Sequence, residues 1–198
     1  MYKNNILLWI VIFITFCIIL RIYVESDSFL LTCDISDINH KKFCAKDRKN
    51  IKEAINILAT VSDKTEKLVK YLKEKYPDKE NVKRLYKKFD PSKIAEISPL
   101  SNHVAYSENK GEKLAICLTK DKKNIYDYVD INTIMFVAIH ELAHIASETV
   151  GHNDEFWNNF KFLLDNAVKI KVYSPVDYNK NNVEYCGMKI TDNPYYDM

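Results

Sequence analysis

Glycine and proline are scarce in this chain, which has 3 glycines and 5 prolines among 198 residues. This scarcity excludes a collagen-like repeat, a glycine-rich linker and a proline-rich segment. With 47% hydrophobic and 28% charged residues, the composition also argues against a disordered chain. Length and composition together predict one compact domain with a core of ordinary size.

Arginine and net charge are low as well. The arginines are Arg21, Arg48 and Arg84, and the formal net charge is +2. Sequence-independent binding of nucleic acid requires a strongly positive protein surface, and recognition of phosphates or guanine relies heavily on arginine. The composition therefore gives no clear sign of nucleic-acid binding.

The five cysteines include no CxxC pair, which leaves a cysteine zinc site or a thioredoxin-type centre without support. In an oxidising compartment one or two disulfides are expected, with Cys33 and Cys44 as the natural local pair. In the cytosol the same residues would remain thiols. Cys17 lies in an apolar stretch, and the others are Cys33, Cys44, Cys117 and Cys186.

An apolar run, ILLWIVIFITFCIIL, occupies residues 6–20 and continues past Arg21 to residue 24. Residues 6–24 would rise about 28 Å as a helix, close to a hydrocarbon core of about 30 Å. The following residues offer no small-x-small cleavage site, which disfavours a signal peptide, and the run has no polar face, which disfavours a core helix. The sequence predicts a short tail at 1–5 and a transmembrane signal anchor at 6–24.

This anchor would make the chain a single-pass membrane protein that contacts a lipid bilayer through residues 6–24. The basic residues Lys3 and Arg21 flank the run and weakly favour a soluble domain on the non-cytosolic side. Residues 25–45 are mostly polar and are interpreted as a stalk. The predicted domain then covers residues 46–198, and nothing in the sequence indicates an oligomeric state.

Two helices are predicted at the start of that domain. Apolar residues recur at three- and four-residue steps from Asp47 until Pro77 stops the helix. Asp78 can cap a second helix, which ends before Pro91. The many lysines on these helices are interpreted as solvated faces, and a role at a membrane surface or on nucleic acid is the less favoured alternative.

The periodicity changes after residue 102. The pattern predicts a hairpin, with strands at residues 103–107 and 113–118 that are joined by a turn at Asn109-Lys110-Gly111. Either strand could pair with the backbone of an extended substrate, and the periodicity does not indicate which of the two does so. Three tyrosines near the C-terminus are candidates for stabilising an oxyanion: Tyr173, Tyr178 and Tyr185.

A strongly apolar helix is predicted from Asp130 onwards, with the sequence INTIMFVAIHELAHIASE. It contains the HExxH pattern, in which His140 and His144 project from one face and can reach a single metal ion. Glu141 would lie beside the open coordination position and act as the general base in metal-assisted peptide hydrolysis. The alternative is a core helix with two hydrogen-bonded histidines, but burying this polar group without a partner is costly.

A catalytic zinc site needs a third protein ligand and an open fourth position. His152 is the preferred third ligand, because the chain can turn back at Gly151 after the helix ends. One zinc ion per chain is expected. The carboxylate alternatives to His152 are Glu148, Asp154 and Glu155.

The stretch HELAHIASETVGHNDEFW resembles the WLM and SprT-like zinc metallopeptidases, in which HExxH is followed by a Gly-His or Pro-His step and a polar spacer that ends in an aromatic residue. The resemblance implies a minimal zincin-like α+β core, with a small antiparallel sheet packed on the HExxH helix. It also implies zinc ligation by His140, His144 and His152, a base at Glu141, and packing roles for Phe156 and Trp157.

The sequence supports two hypotheses about the function. The favoured one is a membrane-anchored zinc metallopeptidase that acts on a protein or peptide substrate. The alternative is a noncatalytic, zinc-stabilised membrane protein with a structural or interaction role. The intact Glu141 favours the enzyme, because a purely structural site has no need of that carboxylate. Some proteins of the family act on proteins crosslinked to DNA, but that role is not transferred to this chain, which lacks an arginine-rich segment.

Overall fold

The computed structural model describes residues 3–25 and 30–197, in which the chain forms five α-helices and seven β-strands. Parts of the predicted tail (1–2) and stalk (26–29) lie outside the described residues. The helices are α1 (Lys3–Glu25), α2 (Ile51–Lys75), α3 (Glu80–Lys88), α4 (Ile131–Ala146) and α5 (Asp154–Lys169). The strands are β1 (Leu31–Ile35), β2 (Lys42–Lys46), β3 (Ile94–Glu96), β4 (Ala105–Glu108), β5 (Lys113–Ile116), β6 (Val183–Tyr185) and β7 (Met188–Ile190).

Five strands form a mixed sheet in the order β1-β2-β3-β5-β4. The pairs β1/β2 and β4/β5 are antiparallel, whereas β3 runs parallel to both β2 and β5. The prediction of a small antiparallel sheet is therefore wrong. The helical connection through α2 and α3 returns the chain in the direction of β2, and β3 has only three residues, too few to show a periodicity.

The structure also corrects the prediction of a membrane anchor. Helix α1 has exposed apolar side chains, but no helix in the described ranges is both long enough and apolar enough to cross a membrane. The uninterrupted apolar run, 6–20, rises only about 23 Å before Arg21, less than the roughly 30 Å of a hydrocarbon core. The transmembrane segment 6–24 and the single-pass membrane localisation inferred from it are wrong.

Much of the segment predicted as a stalk, 25–45, belongs to the sheet. Strands β1 and β2 form a hairpin in which Cys33 lies opposite Cys44, and a disulfide joins the two. Phe43 is buried in the core, and β2 pairs with β3. Strand β1 is mostly exposed, whereas β2 buries Phe43, Ala45 and Lys46. The polar residues that surround these few apolar positions make the sequence resemble that of a linker.

The structure contains the predicted helices and hairpin of the domain. Helix α2 ends before Pro77, and α3 ends before Pro91. The predicted cap at Asp78 is wrong, because the N-cap residue of α3 is Lys79 and it makes no side-chain capping bond. Strands β4 and β5 form the expected hairpin around Gly111, whose φ of +119° and close approach to the Lys88 carbonyl suit a residue without a side chain. Helix α4 packs against α2, α3, α5 and β4, so it lies at the centre of the domain.

A buried charge cluster joins β2 to β3. Arg48 and Glu96 form a fully buried ion pair, and the Lys46 ammonium lies 3.9 Å from the same carboxylate. The Arg48 guanidinium also donates to the Ile125 carbonyl, at 2.7 Å, and to the Tyr128 hydroxyl, at 3.1 Å. These bonds fix the 121–128 loop to the sheet.

The C-terminal hairpin, defined as strands β6 and β7 with the turn between them, is attached to the end of β5. A disulfide joins Cys117 to Cys186. The buried Tyr185 hydroxyl donates to the Cys117 carbonyl at 2.9 Å and accepts from the Cys117 amide at 3.1 Å. Backbone bonds from Cys186 to Thr119 and from Gly187 to Lys120 complete the attachment, so this hairpin has a fixed position beside α4.

Candidate metal centre

Helix α4 positions the first part of the candidate site. The Asp130 side chain caps the helix by accepting from the Thr133 amide at 3.0 Å, as the sequence predicts. The helix then presents His140, Glu141 and His144 on the side that faces a cavity. Because the opposite side of α4 is buried in the core, the orientation of these three residues is fixed by packing.

The two helix histidines are held as neutral imidazoles. Their ring centroids lie 5.0 Å apart, and both rings are half-buried. Burial, and next the neighbouring imidazoles, lower the pKa of His140 to about 3. Burial and the nearby His152 lower the pKa of His144 to about 4. At neutral pH both rings therefore carry a free nitrogen lone pair, as metal binding requires.

The third histidine is brought to the helix by the ligand loop, defined here as residues 147–153. Gly151 has a φ of +93°, a conformation that glycine adopts easily and that lets the loop turn back on α4. As a result, His152 Nε2 lies 3.1 Å from Nε2 of His140 and 3.1 Å from Nε2 of His144. The structure therefore brings the three predicted ligand residues together.

The convergence of the three nitrogens fits a zinc ion. All three ligand atoms lie within 4.8 Å of one another. Ligands about 2.0 to 2.1 Å from a tetrahedral zinc are about 3.4 Å apart, close to the observed 3.1 Å separations. The cluster within the described residues contains three histidines and none of the carboxylates considered as third ligands, so a fourth position would remain open towards the cavity.

Phe156 forms the packing surface beneath the three histidines. Its ring centroid lies 4.8 Å from that of His140, 4.3 Å from His144 and 4.6 Å from His152, and the side chain is fully buried. Trp157 is partly exposed, and its indole N–H donates to the His152 carbonyl at 3.1 Å. Both residues therefore support the cluster from the start of α5.

Glu141 is buried beside the cluster. Burial raises the pKa of its carboxyl to about 7, and a hydrogen bond from the Ser107 amide opposes part of that rise. A carboxyl with a pKa near neutrality can both accept and return a proton, which suits a general base. Glu141 also lines the cavity, so its carboxylate can approach a bound molecule.

An ion pair fixes the ligand loop to the rest of the domain. The Glu155 carboxylate accepts from the Glu148 amide at 2.8 Å and from the Thr149 amide at 3.1 Å, and these bonds lower its pKa to about 2. Arg84 of α3 donates to Glu155 at 3.0 Å and to the Ala146 carbonyl at 2.8 Å. Glu155 is therefore a support of the loop, although the sequence suggested it as a possible ligand.

Lys110 supports the same loop from the β4/β5 turn. Its ammonium donates to the Ser147 carbonyl at 3.2 Å and also to the Glu148 carbonyl. Sequence reasoning missed the roles of Lys110 and Arg84, because each acts on a loop far away in the chain. The one available signal was that Arg84 is an arginine in a helix otherwise rich in lysine.

Weakening this support is expected to weaken metal binding. The Glu155→Gln variant loses the charge that binds Arg84 and the two loop amides, so His152 is held less firmly, and zinc affinity should fall about 10- to 100-fold. The measurement is zinc affinity by competition with a chromogenic chelator. Asp154→Asn, a neutralisation at the adjacent exposed position, is the matched control and should leave the affinity within about twofold of wild type.

The tyrosines suggested as oxyanion donors are placed differently. Tyr173, Tyr178 and Tyr185 are buried, and the Tyr185 hydroxyl is already bonded to the Cys117 backbone. Tyr185 and Tyr106 both line the cavity, and the ring of Tyr106 lies 5.9 Å from that of His103, another lining residue. Tyr106 and His103 belong to the segment that the sequence predicts as a possible substrate-binding strand.

Comparison with known proteins places this geometry in a family. Residues 32–195 match the WLM domain family. A protein of Acanthamoeba polyphaga mimivirus is 29% identical over 161 residues, which is 79% of this chain and 81% of that protein. A protein of invertebrate iridescent virus 6 is 32% identical over 80 residues, which is 40% of this chain and 44% of that protein.

Among solved structures, Wss1 from Saccharomyces cerevisiae is similar to this chain, with a TM-score of 0.47 and 19% sequence identity. The similarity covers 63% of this chain and 84% of that one. The match to the WLM family includes α4, the ligand loop and α5 together with the whole five-stranded sheet. This chain is thus a member of the WLM domain family.

Proposed function

We propose that this protein is a zinc-dependent metallopeptidase. The observation that carries the proposal is the convergence of three histidine nitrogens next to the buried carboxyl of Glu141, at the wall of a cavity. His140, His144 and His152 would hold the ion. A zinc ion bound there supplies a Lewis acid that polarises the scissile carbonyl and acidifies a water molecule.

Glu141 would move the proton in this reaction. Its carboxylate accepts a proton from the attacking water and then delivers it to the leaving amine as the peptide bond breaks. A zinc ion held by the three histidines would favour the ionised carboxylate, which is the form that accepts the proton. The hydrogen bond from the Ser107 amide orients the carboxylate, and this bond links Glu141 to the strand that borders the cavity.

Strand β4 offers a binding edge for an extended substrate. It is the last strand of the sheet, whereas β5 lies between β3 and β4. The Val104 carbonyl accepts from the Cys117 amide, so by the alternation of an antiparallel pair the backbone groups of Ala105 and Ser107 point away from β5. The Ser107 amide is bonded to Glu141, which leaves the Ala105 groups and the Ser107 carbonyl for a substrate. A peptide pairing with this edge would lie across the face of α4 that bears the histidines.

A noncatalytic zinc-stabilised protein is the second reading of the same cluster. Structural zinc sites usually have four protein ligands. The described residues gather three histidine ligands. The neighbouring Glu141 carboxyl is buried, which costs stability, and a catalytic role would explain why a carboxyl occupies this position. Both observations favour the enzyme.

The test is cleavage of fluorescein-labelled casein by the full chain at one zinc per molecule. Casein is an unfolded protein, so its backbone is available to the β4 edge. Release of labelled peptides should stop when zinc is removed with 1,10-phenanthroline and should return when zinc is added back. A folded chain that binds one zinc per molecule and cleaves neither casein nor any peptide of the series described below would contradict the proposal.

A further inference from the structure

The cavity next to the histidine cluster has a volume of about 890 Å³ and extends well beyond the metal-binding nitrogens. One of its walls is strand β4, another is the cluster face of α4, and a third is the C-terminal hairpin. A volume of this size holds several side chains of a peptide. Its shape and chemistry therefore select what can bind beside the scissile bond.

The part of the cavity away from the histidines is apolar. Phe136 and Val137 contribute from the turn of α4 that precedes His140, and Val104 contributes from the segment that leads into β4. Met188 and Ile190 of β7 also line the cavity, alongside the polar residues Lys189, Thr191 and Asp192. The apolar side chains among these offer a substrate group an apolar environment.

The arrangement of the C-terminal hairpin explains why it contributes apolar groups. Tyr185 pairs with Met188, and Val183 pairs with Ile190, so these four side chains share one face of the hairpin. The charged residue of β7, Lys189, pairs with Glu184, and this pair occupies the other face. The apolar face is turned towards the domain, where Tyr185 is buried.

Two charged groups around the cavity, Lys110 and Asp192, are engaged elsewhere, whereas Lys189 lines the cavity from an exposed position on β7. The ammonium of Lys110 is bonded to carbonyls of the ligand loop. Asp192 accepts from Asn179 at 3.1 Å and from the Asn193 amide at 2.8 Å. A charged substrate side chain placed against Phe136, Val137 and Ile190 would lose hydration without gaining a charged partner from these three residues, which is costly.

Apolar side chains at the mouth of the cavity remain exposed. Met188 is 48% exposed and Val150, in the ligand loop, is 86% exposed. Single exposed apolar residues are common on protein surfaces, but these two border the same cavity as the buried Phe136. A peptide side chain bound between them would remove this surface from water.

We propose that this subsite selects peptides with a large apolar side chain next to the scissile bond, such as leucine or phenylalanine, and that Met188 determines this selectivity. The inference rests on the proposed function, because it assigns a substrate class to the same site. The disulfide and the Tyr185 bonds hold the C-terminal hairpin in place, so the subsite is formed before a substrate arrives. A preformed pocket discriminates better than one that must be ordered by binding.

The test uses the zinc-loaded full chain with the Glu141→Gln substitution, which prevents turnover during binding. Fluorescein-labelled peptides in an extended series carry leucine, phenylalanine, aspartate or lysine at one position next to the same central bond. Leucine and phenylalanine peptides should bind roughly 10- to 100-fold more tightly than the charged ones, as measured by fluorescence polarisation. The wild-type chain is assayed for cleavage of the same series in parallel.

A second substitution, Met188→Lys in the same background, tests the residue itself. It places an ammonium in the apolar wall, so the preference for leucine over aspartate should fall at least tenfold or reverse. Leu100→Lys is the matched control, because Leu100 is 64% exposed and does not line the cavity; it should keep the wild-type preference.

The outcomes separate the two proposals. Equal binding of all four peptides, or an apolar preference that survives Met188→Lys, overturns the subsite. Apolar-selective binding without cleavage by the wild-type chain supports the subsite and contradicts the proposed function. Cleavage that does not depend on the varied position supports the function and overturns the subsite.

Discussion

Glu141→Gln is expected to reduce the kcat/KM for casein or peptide cleavage on the order of 10²- to 10⁴-fold. Glutamine has nearly the same size as glutamate, so the packing around this buried position should persist. The amide cannot accept a proton from water or return it to the leaving amine, so the step that depends on Glu141 fails. Zinc content should remain about one per chain, because the three ligand nitrogens belong to other residues.

The measurement compares initial rates, zinc content and thermal unfolding of the wild-type and variant chains. Glu74→Gln, which neutralises an exposed carboxylate on α2, is the control for the loss of one negative charge and should behave as wild type. A Glu141→Gln chain that is folded, zinc-loaded and still cleaves at the wild-type rate would show that another residue is the base.

His152→Ala is expected to remove most of the zinc. The wild-type chain should retain about one zinc per molecule after extensive dialysis, whereas the variant should retain little. Two ligands separated by one helical turn remain, and a zinc ion held by two imidazoles alone lacks the chelation that a third provides. Elemental analysis of the dialysed proteins gives the stoichiometry directly.

Folding of the His152→Ala variant can be judged independently of zinc. His152 is exposed, and the packing of Phe156 against the two helix histidines does not require it, so the far-ultraviolet circular dichroism should be preserved. Asp154→Asn serves as the control, since Asp154 was the neighbouring carboxylate considered as a ligand. Full zinc retention in His152→Ala with loss in Asp154→Asn would reassign the third ligand.

The candidate site could be predicted from the sequence because its signals are local. An N-cap at Asp130, a regular apolar helix and the HExxH spacing all fall within one segment, and Gly151 lies where the chain must turn for His152 to reach the helix. Such features depend on neighbours three or four residues away, which a single sequence shows.

The rest of the fold depends on contacts between distant residues. Strand β3 is three residues long and is defined by its partners on both sides, which the sequence does not reveal. Nothing near Arg48 in the sequence indicates that it is buried, because its ion-pair partner in the core, Glu96, lies far along the chain. The Arg84 and Glu155 ion pair likewise joins α3 to α5, so the support of the ligand loop could not be anticipated.

The apolar run at the N-terminus shows how a strong local signal can mislead. The hydropathy of residues 6–24 predicts a membrane span only if the apolar run is extended past Arg21. The uninterrupted part, residues 6–20, is shorter than the hydrocarbon core of a bilayer. The mixed composition of residues 25–45 likewise predicts a stalk, whereas β2 buries Phe43, Ala45 and Lys46 against the domain. The structure of the apolar segment depends on its length, and that of the polar segment depends on the residues elsewhere in the chain with which it pairs.

The Cys117–Cys186 disulfide has a topological consequence for a protein that cuts peptide bonds. Its sequence separation of 69 residues encloses α4, the ligand loop and α5, so the three histidines and Glu141 all lie inside one covalent ring. A single backbone cut in the exposed ligand loop, by the protein itself or by another protease, would open the ring without releasing a fragment. Such a nicked chain would migrate intact on a denaturing gel until a reducing agent separates its two pieces.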